Sequence, residues 1–368
     1  MAIDKITTPA IADDAVTNAK VSYNNNQFRN IIINGDISLA QRGTSFTSAS
    51  GYTLDRYTWT DDSTSAFTIT QSTDVPTGQG FAKSMKFDCT TANGSLGSSD
   101  QIRQVQQIEG QNLQYLRYGT SSAESLTCSF WVKSNKTGIY CVTLSQPDDS
   151  YASNTVEYTI SSANTWEKKT ATFSGDTGGV INNDNGAGLW LMFAFGAGSG
   201  RHMTANQWNS SYGLSTSNQV NLADSTSNEL YLTGVQLEAG TSASDFEFLP
   251  FDVNLKRCQR YFQKSYNVDV NPATSTSVGE QTIGGGSDAS GNISVMLTQH
   301  GEMRSAPTIV GYAGGTSGSW GVNRNGASGT GTFNTHRNGQ HSTSAYAAIG
   351  AGWTVGWITG HFTMSSEL

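Results

Sequence analysis

Between Ile31 and Leu237 the sequence is cut into short apolar runs, each bounded by Gly, Ser, Asn, Asp or Thr, with no helical stretch between one run and the next. Parallel strands need a crossover of a dozen residues or more, usually a helix. Without that spacing the runs pair antiparallel, and about ten strands in one unit make a two-sheet sandwich, best matched by a jelly roll. The runs are Ile31 to Leu39 (broken by Asn34-Gly35-Asp36), Tyr57 to Trp59, Ala66 to Thr70, Ser84 to Asp88, Ile102 to Ile108, Ser125 to Lys133, Gly138 to Leu144, Thr155 to Ile160, Lys168 to Phe173, Leu189 to Phe195 and Leu230 to Leu237. Leu189 to Phe195 is apolar on both faces and reads as a central strand. Glu109 to Leu116 is the single helical turn expected in this unit. Only 14% of residues are charged, against about 25% in an average soluble domain. Gly, Ser, Thr and Asn take their place, and these residues suit turns and disfavour helices.

Glu229 to Phe251 closes the unit. Leu230, Leu232, Val235 and Leu237 alternate with polar residues, and Gly234 shifts the phase by one, the mark of a β-bulge. Phe246, Phe248, Pro250 and Phe251 form an apolar strap leading out. Three segments follow: an extended N-terminal segment (1–27), the jelly roll (28–251) and a C-terminal β unit (252–368). In the first, Ile6, Ile11, Val16 and Val21 recur every fifth residue. That period fits neither helix nor simple strand and suits a segment that orders against identical copies or a larger particle. In the third, Asp252 is placed to cap a helix from Val253 to about Phe262, and the runs Ile293 to Leu297, Thr308 to Tyr312, Ser319 to Val322, Gly331 to Thr335, Ala345 to Ile349 and Thr354 to Met364 read as strands of a small Gly-rich sandwich. So few Leu, Ile and Val bury little apolar area, so packing between copies is expected. Residues 196–228 are long for a loop, which points to function or disorder.

The net charge of −8, with basic residues scattered apart from Lys256-Arg257 and Arg260, excludes nucleic acid as a partner. Met1 to Lys5 lacks a signal-peptide run, and no stretch approaches the roughly 18 apolar residues of a membrane span; synthesis in a cytoplasm without membrane insertion is expected. Cys128 and Cys141 flank the turn Asn135 to Gly138 and read as facing each other across a hairpin. Reduced core thiols suit that compartment better than a disulfide. There is no GxSxG, HExxH or CxxC. Of the histidines only His336 and His341 are close, in a glycine-rich loop, so neither a metal site nor a cofactor is expected. A glycan-cleaving enzyme needs two carboxylates roughly 5–10 Å apart; Asp148, Asp149 and Glu157 are the open candidates. Sugars are held by aromatic faces with amide and guanidinium groups on their hydroxyls. Tyr312, Trp320, Arg324, His336 and Arg337, with Asn323, Asn334 and Asn338, supply that set near turns of the C-terminal unit, although Trp320 and Tyr312 equally suit core or inter-subunit packing. In the jelly roll, Trp131, Tyr140 and Trp190 are candidates for a concave face, with Trp190 reading as core.

Asn30-Ile31-Ile32-Ile33-Asn34-Gly35-Asp36, Gln41-Arg42-Gly43 and Asp55-Arg56-Tyr57, followed by Gly234 to Gly240, Phe246-Glu247-Phe248 and Arg257 to Phe262, resemble the opening and close of a domain found in many bacteriophage tail-fibre and receptor-binding proteins. That domain is similar to the jelly rolls of carbohydrate-binding modules. The resemblance implies a virion tail fibre or receptor-binding protein, homotrimeric, joined to other tail proteins through its N-terminus and binding a host cell-surface polysaccharide through residues 252–368. It also implies a structural calcium near the first and last strands, but Leu232-Thr233-Gly234-Val235 lacks the acidic residue such a site uses. The alternatives are a virion decoration or connector protein without a receptor role and a glycan-cleaving tailspike, although the coiled repeat usual in such enzymes is missing.

Overall fold

The structure is a computed structural model that describes residues 28–47, 50–285, 287–324, 327–348 and 356–368. The five-residue repeats of the N-terminal segment lie outside the described residues. Thirteen strands build an antiparallel two-sheet sandwich. The first sheet runs β1 (Ser45–Phe46), β4 (Ala66–Ser72), β5 (Ser84–Thr91), β13 (Glu229–Ala239), β7 (Leu126–Ser134) and β10 (Glu167–Phe173). The second runs β12 (Trp208–Asn209), β9 (Ala152–Ile160), β8 (Gly138–Gln146), β11 (Ala187–Ala197), β6 (Gln101–Glu109), β3 (Tyr57–Asp61) and β2 (Ser50–Tyr52). The doubly apolar run is the middle strand of its sheet. On β11, Leu189, Leu191, Phe193 and Phe195 face the core, where Trp59 packs on Phe67, Phe87 and Phe195 at 5.2, 5.4 and 5.7 Å between centroids. Those rings come from β3, β4, β5 and β11 and so tie the sheets together. Trp190, Met192 and Ala194 face the other way, where the loop after β11 lays Leu214 and Tyr212 over them.

The bulge expected at Gly234 is present. The β13–β7 register slips between Thr233 and Gln236, and Gly234 has φ +62°. Three expectations need correction. Ile31 to Leu39 is an irregular strap, not a strand, because Asn34 and Ile37 adopt left-handed backbone at φ 60° and 59°. The β7–β8 connection is no hairpin: the two strands belong to opposite sheets, so Cys128 lies in the core while Cys141 lies on the outer side of the second sheet. All four cysteines are buried and unpaired. Helix α1 (Phe251–Gln259) begins at Pro250, and Asp252 sits in its first turn and makes no cap.

Beyond α1 comes the C-terminal unit. Its longest strand, β22 (Gly356–Ser365), pairs with β14 (Phe262–Lys264), β15 (Gln281–Gly285), β17 (Thr308–Ala313) and β19 (Ser319–Arg324). The sheet continues from β19 through β20 (Ala327–His336) and β21 (Thr343–Ala348) to β16 (Asn292–Leu297), and β18 (Thr316–Ser317) edges β17. It closes over a small core of its own that includes Ile293, Val295, Leu297, Trp320, Val322, Phe333, Ile358 and Met364.

The opening and closing motifs meet at the junction of the two units. Asn34 donates to the carbonyls of Leu39 and Asp55 (3.0 and 3.1 Å), while its backbone N–H donates to Asn254 Oδ1 on α1 (3.2 Å). Asp55, fully buried, accepts from the Gln41 N–H and Nε2 at 2.6 Å each. Lys264 Nζ donates to the Gln41 carbonyl at 2.8 Å. The Arg56 guanidinium lies 3.4 Å from the Tyr261 ring centroid and is ion-paired to Glu367. Glu367 also pairs with Arg42 at 2.8 Å. The last residues are therefore tied to the sandwich rather than only into the C-terminal sheet.

Candidate functional site

A concavity lies at this junction. It is a cleft of about 720 Å3 between the strap, the rim of β6, α1 and loops of the C-terminal unit, lined among others by Phe28, Gln107, Tyr115, Asn185, Arg257 and Glu302. Phe28 and Tyr115 are each 53% exposed. Glu109, at its edge, accepts from Arg260 Nε and Nη2 (2.7 and 2.8 Å) and from Tyr261 Oη and Gln111 Nε2. Burial works to raise its pKa, but these bonds and the Arg260 charge outweigh it and hold the carboxyl below the usual range. A carboxylate so saturated is a structural anion and a poor proton donor.

The C-terminal candidates do not converge. Trp320 is a correction: it is fully buried, its indole donates to the His361 carbonyl at 2.8 Å, and it packs on Phe333. Its alternation on β19 puts it with Val322 on the core side. Tyr312 is half-buried beside Tyr266, with its hydroxyl 3.4 Å from Thr363. His336 is half-buried against Tyr346. Tyr312 on β17 and His336 on β20 are not paired neighbours, since β22 and β19 stand between them in the sheet order, although the sheet curls enough for Gly311 of β17 to meet the Phe333 ring of β20. Arg337 follows β20, exposed, with φ 56°. Arg324 ends β19, and its side chain lies outside the described residues.

The open side of the second sheet does assemble a site. Trp190 is half-buried there, not core as its strand suggested, with the Tyr151 ring 5.2 Å away. Tyr151, 42% exposed, also lies 6.3 Å from Tyr212. The Arg103 guanidinium sits 5.2 Å from the Trp190 ring and 5.4 Å from Tyr212, and Arg201 lies 5.2 Å from Tyr212. Neither arginine has a carboxylate within ion-pair distance among the described residues. Burial pulls the Arg103 pKa down. Gln101 links the row to β6 by accepting from Tyr212 Oη. Strand register places Arg103 opposite Ala194, and the small Ala194 leaves room for the loop that brings Tyr212. Sequence reading missed Tyr151, Tyr212, Arg103 and Arg201. Tyr151 stands in a turn, at φ 61° after Ser150 at φ 52°, and Tyr212 in the long loop, where periodicity is silent. Of the other ring candidates, Tyr140 is core and its hydroxyl donates to the Lys136 carbonyl, while Trp131 lies on the first sheet.

Of the open carboxylates, Asp148 is bonded by Asn182 through both oxygens, and Glu157 accepts from Thr216 and Asn218. Among the described residues no group of three or more His, Cys, Asp or Glu is placed to hold a metal ion, and no helix is long and apolar enough to cross a membrane.

No protein-family model matches the chain, and no curated protein matches it. Solved structures do resemble the sandwich. The enzymatically active domain of tailspike protein 4 of bacteriophage CBA120 is 14% identical over 58% of this chain, with a TM-score of 0.32; the match spans 22% of that chain, about a fifth of its length. TmCBM61, solved with β-1,4-galactotriose, is 11% identical over 57% of this chain and 99% of its own, with a TM-score of 0.29. The C-terminal family 22 carbohydrate-binding module of Clostridium thermocellum Xyn10B is 10% identical over 55% of this chain and 98% of its own, also at 0.29. These superpositions are partial, and what this chain binds has to come from its own side chains.

Proposed function

We propose that this chain is a non-catalytic glycan-binding protein whose sandwich holds a saccharide on the open side of the second sheet. The observation that carries this is the row Tyr151–Trp190–Tyr212 with two unpaired guanidinium groups set among the rings. Aromatic faces take the C–H side of a sugar, and guanidinium donors take its hydroxyl or carboxylate oxygens. Because neither Arg103, itself 9% exposed, nor Arg201 makes an ion pair among the described residues, with Asp62 acting on Arg103 only at a distance, the site favours saccharides that carry carboxylates. Binding to acidic host-type polysaccharide, measured by calorimetry, tests it. Tyr151→Ala and Trp190→Ala should each weaken binding by up to about tenfold, the size of one aromatic contact. A folded double variant that binds like the parent refutes the reading.

The resemblance of the opening and closing motifs to tail-fibre domains supports a reading in which this binding serves a phage tail, with the N-terminal segment attaching to the virion and a homotrimer as the assembled form. Large apolar side chains left exposed in the C-terminal unit, among them Met296 (62%) and Trp357 (43%), support packing between copies. Light scattering should give a three-fold mass, and antibody to residues 252–368 should label tail tips. A monomer, or label on the head, favours a decoration or connector protein. Release of reducing ends from host polysaccharide would favour a tailspike enzyme.

A further inference from the structure

The turn between β8 and β9 and the loop after β10 meet over one end of the sandwich, and polar atoms gather there around Gly179. The position that a Cβ on Gly179 would occupy lies against Gln146 Nε2 and 2.7 Å from both Asp149 Oδ2 and Asp176 Oδ2. Gln146 is fully buried, and neither its Oε1 nor its Nε2 has a partner. Asp176, 7% exposed, accepts the Gly178 N–H at Oδ1 (2.9 Å), which leaves Oδ2 unbonded. Asp149 has no donor or cation among the described residues. Tyr118, buried beside Asp176, has an unpartnered hydroxyl, and its pKa is pushed up by burial and by the Asp176 charge. Two close carboxylates and a buried amide without partners are costly unless a cation or water meets them.

We propose that Asp149, Asp176 and the side-chain amide of Gln146 bind a divalent cation of the calcium type. Because both carboxylate oxygens lie 2.7 Å from that point, they are at most about 5.4 Å apart, a gap that one ion with bonds of about 2.3–2.6 Å can bridge when it stands off the Gly179 Cα, and a half-turn of the amide presents Oε1 instead of Nε2. All-oxygen donors select a hard cation over zinc, and water completes the shell of roughly six to eight. Two charged ligands imply a weak site, in the range of roughly 0.1–1 mM. The site is built by Pro147–Asp149 and the 174–179 loop, not by the first and last strands. It would pin the turn whose next residues, Ser150 and Tyr151, carry the exposed ring of the saccharide row.

Thermal unfolding of the full chain in EDTA and in 10 mM Ca2+ tests this. For a dissociation constant of 1 mM the midpoint should rise by about 1.5–3 °C, with Asp149→Asn and Asp176→Asn abolishing the rise. Terbium luminescence excited through Tyr118 gives a second readout on the parent protein and should be displaced by Ca2+. No rise and no luminescence in the parent overturn the proposal, as does a full rise in folded Asp176→Asn. This outcome is independent of saccharide binding, which calorimetry follows separately.

Discussion

Removing the Glu367 carboxylate should destabilise the protein far more than a change next to the last residue ordinarily would. The Glu367 side chain is 4% exposed and pairs with Arg56, 1% exposed, and Arg42, 12% exposed. Arg56 keeps a bond to the Gln107 carbonyl (2.6 Å) and its stack on Tyr261, but neither neutralises its charge. Deleting one partner of a buried ion pair costs about 3–5 kcal/mol because the other charge stays desolvated and unpaired. At roughly 1–2 °C per kcal/mol for a chain of 368 residues, Glu367→Ala should lower the unfolding midpoint by about 3–10 °C in calorimetry. Replacing both partners, as Arg56→Met with Glu367→Met, removes the stranded charge and should recover most of the loss. A drop below about 2 °C for Glu367→Ala, or a double variant as unstable as the single, refutes the claim that this pair latches the C-terminal unit to the sandwich.

Trp320→Ala should cost about 3–5 kcal/mol, as for other buried aromatics, seen as early loss of the C-terminal unit to limited proteolysis with the sandwich intact; unchanged proteolysis would return Trp320 to the surface. Glu109 sets a pH limit. Its folded pKa lies below the ordinary carboxyl value of 4.5 because bonds from Arg260 and Tyr261 outweigh the burial that would raise it. Its stabilisation is therefore complete above about pH 4.5 and is lost as pH falls through the folded value. Denaturant titrations from pH 6 to 3 should show a steeper decline for the parent than for Glu109→Gln; parallel curves would refute the assignment.

The sandwich was legible because its strands obey a two-residue period. Leu189 to Phe195 reads as central, and it is; Gly234 breaks the phase, and the register slips there. What failed were features that depend on which sheet a strand joins. Cys128 and Cys141 flank a turn and invite a hairpin, yet the chain crosses from one sheet to the other at that turn, and no local pattern marks a crossing. Trp190 reads as core because every residue around it is apolar, but β11 is covered on one side by the opposite sheet and on the other only by a loop, which leaves Trp190 half-buried. The C-terminal candidates show the converse: polar and aromatic residues near turns suggest a site, but Tyr312 packs beside Tyr266, His336 packs against Tyr346, and Trp320 fills the core. Proximity in sequence brought them together only on paper. Tyr151 and Tyr212, 61 positions apart in the numbering, share one site because the β8–β9 turn and the long loop after β11 reach the same open side of one sheet. The proposed saccharide site therefore rests on the connections between strands, while the strands themselves fix where those connections meet.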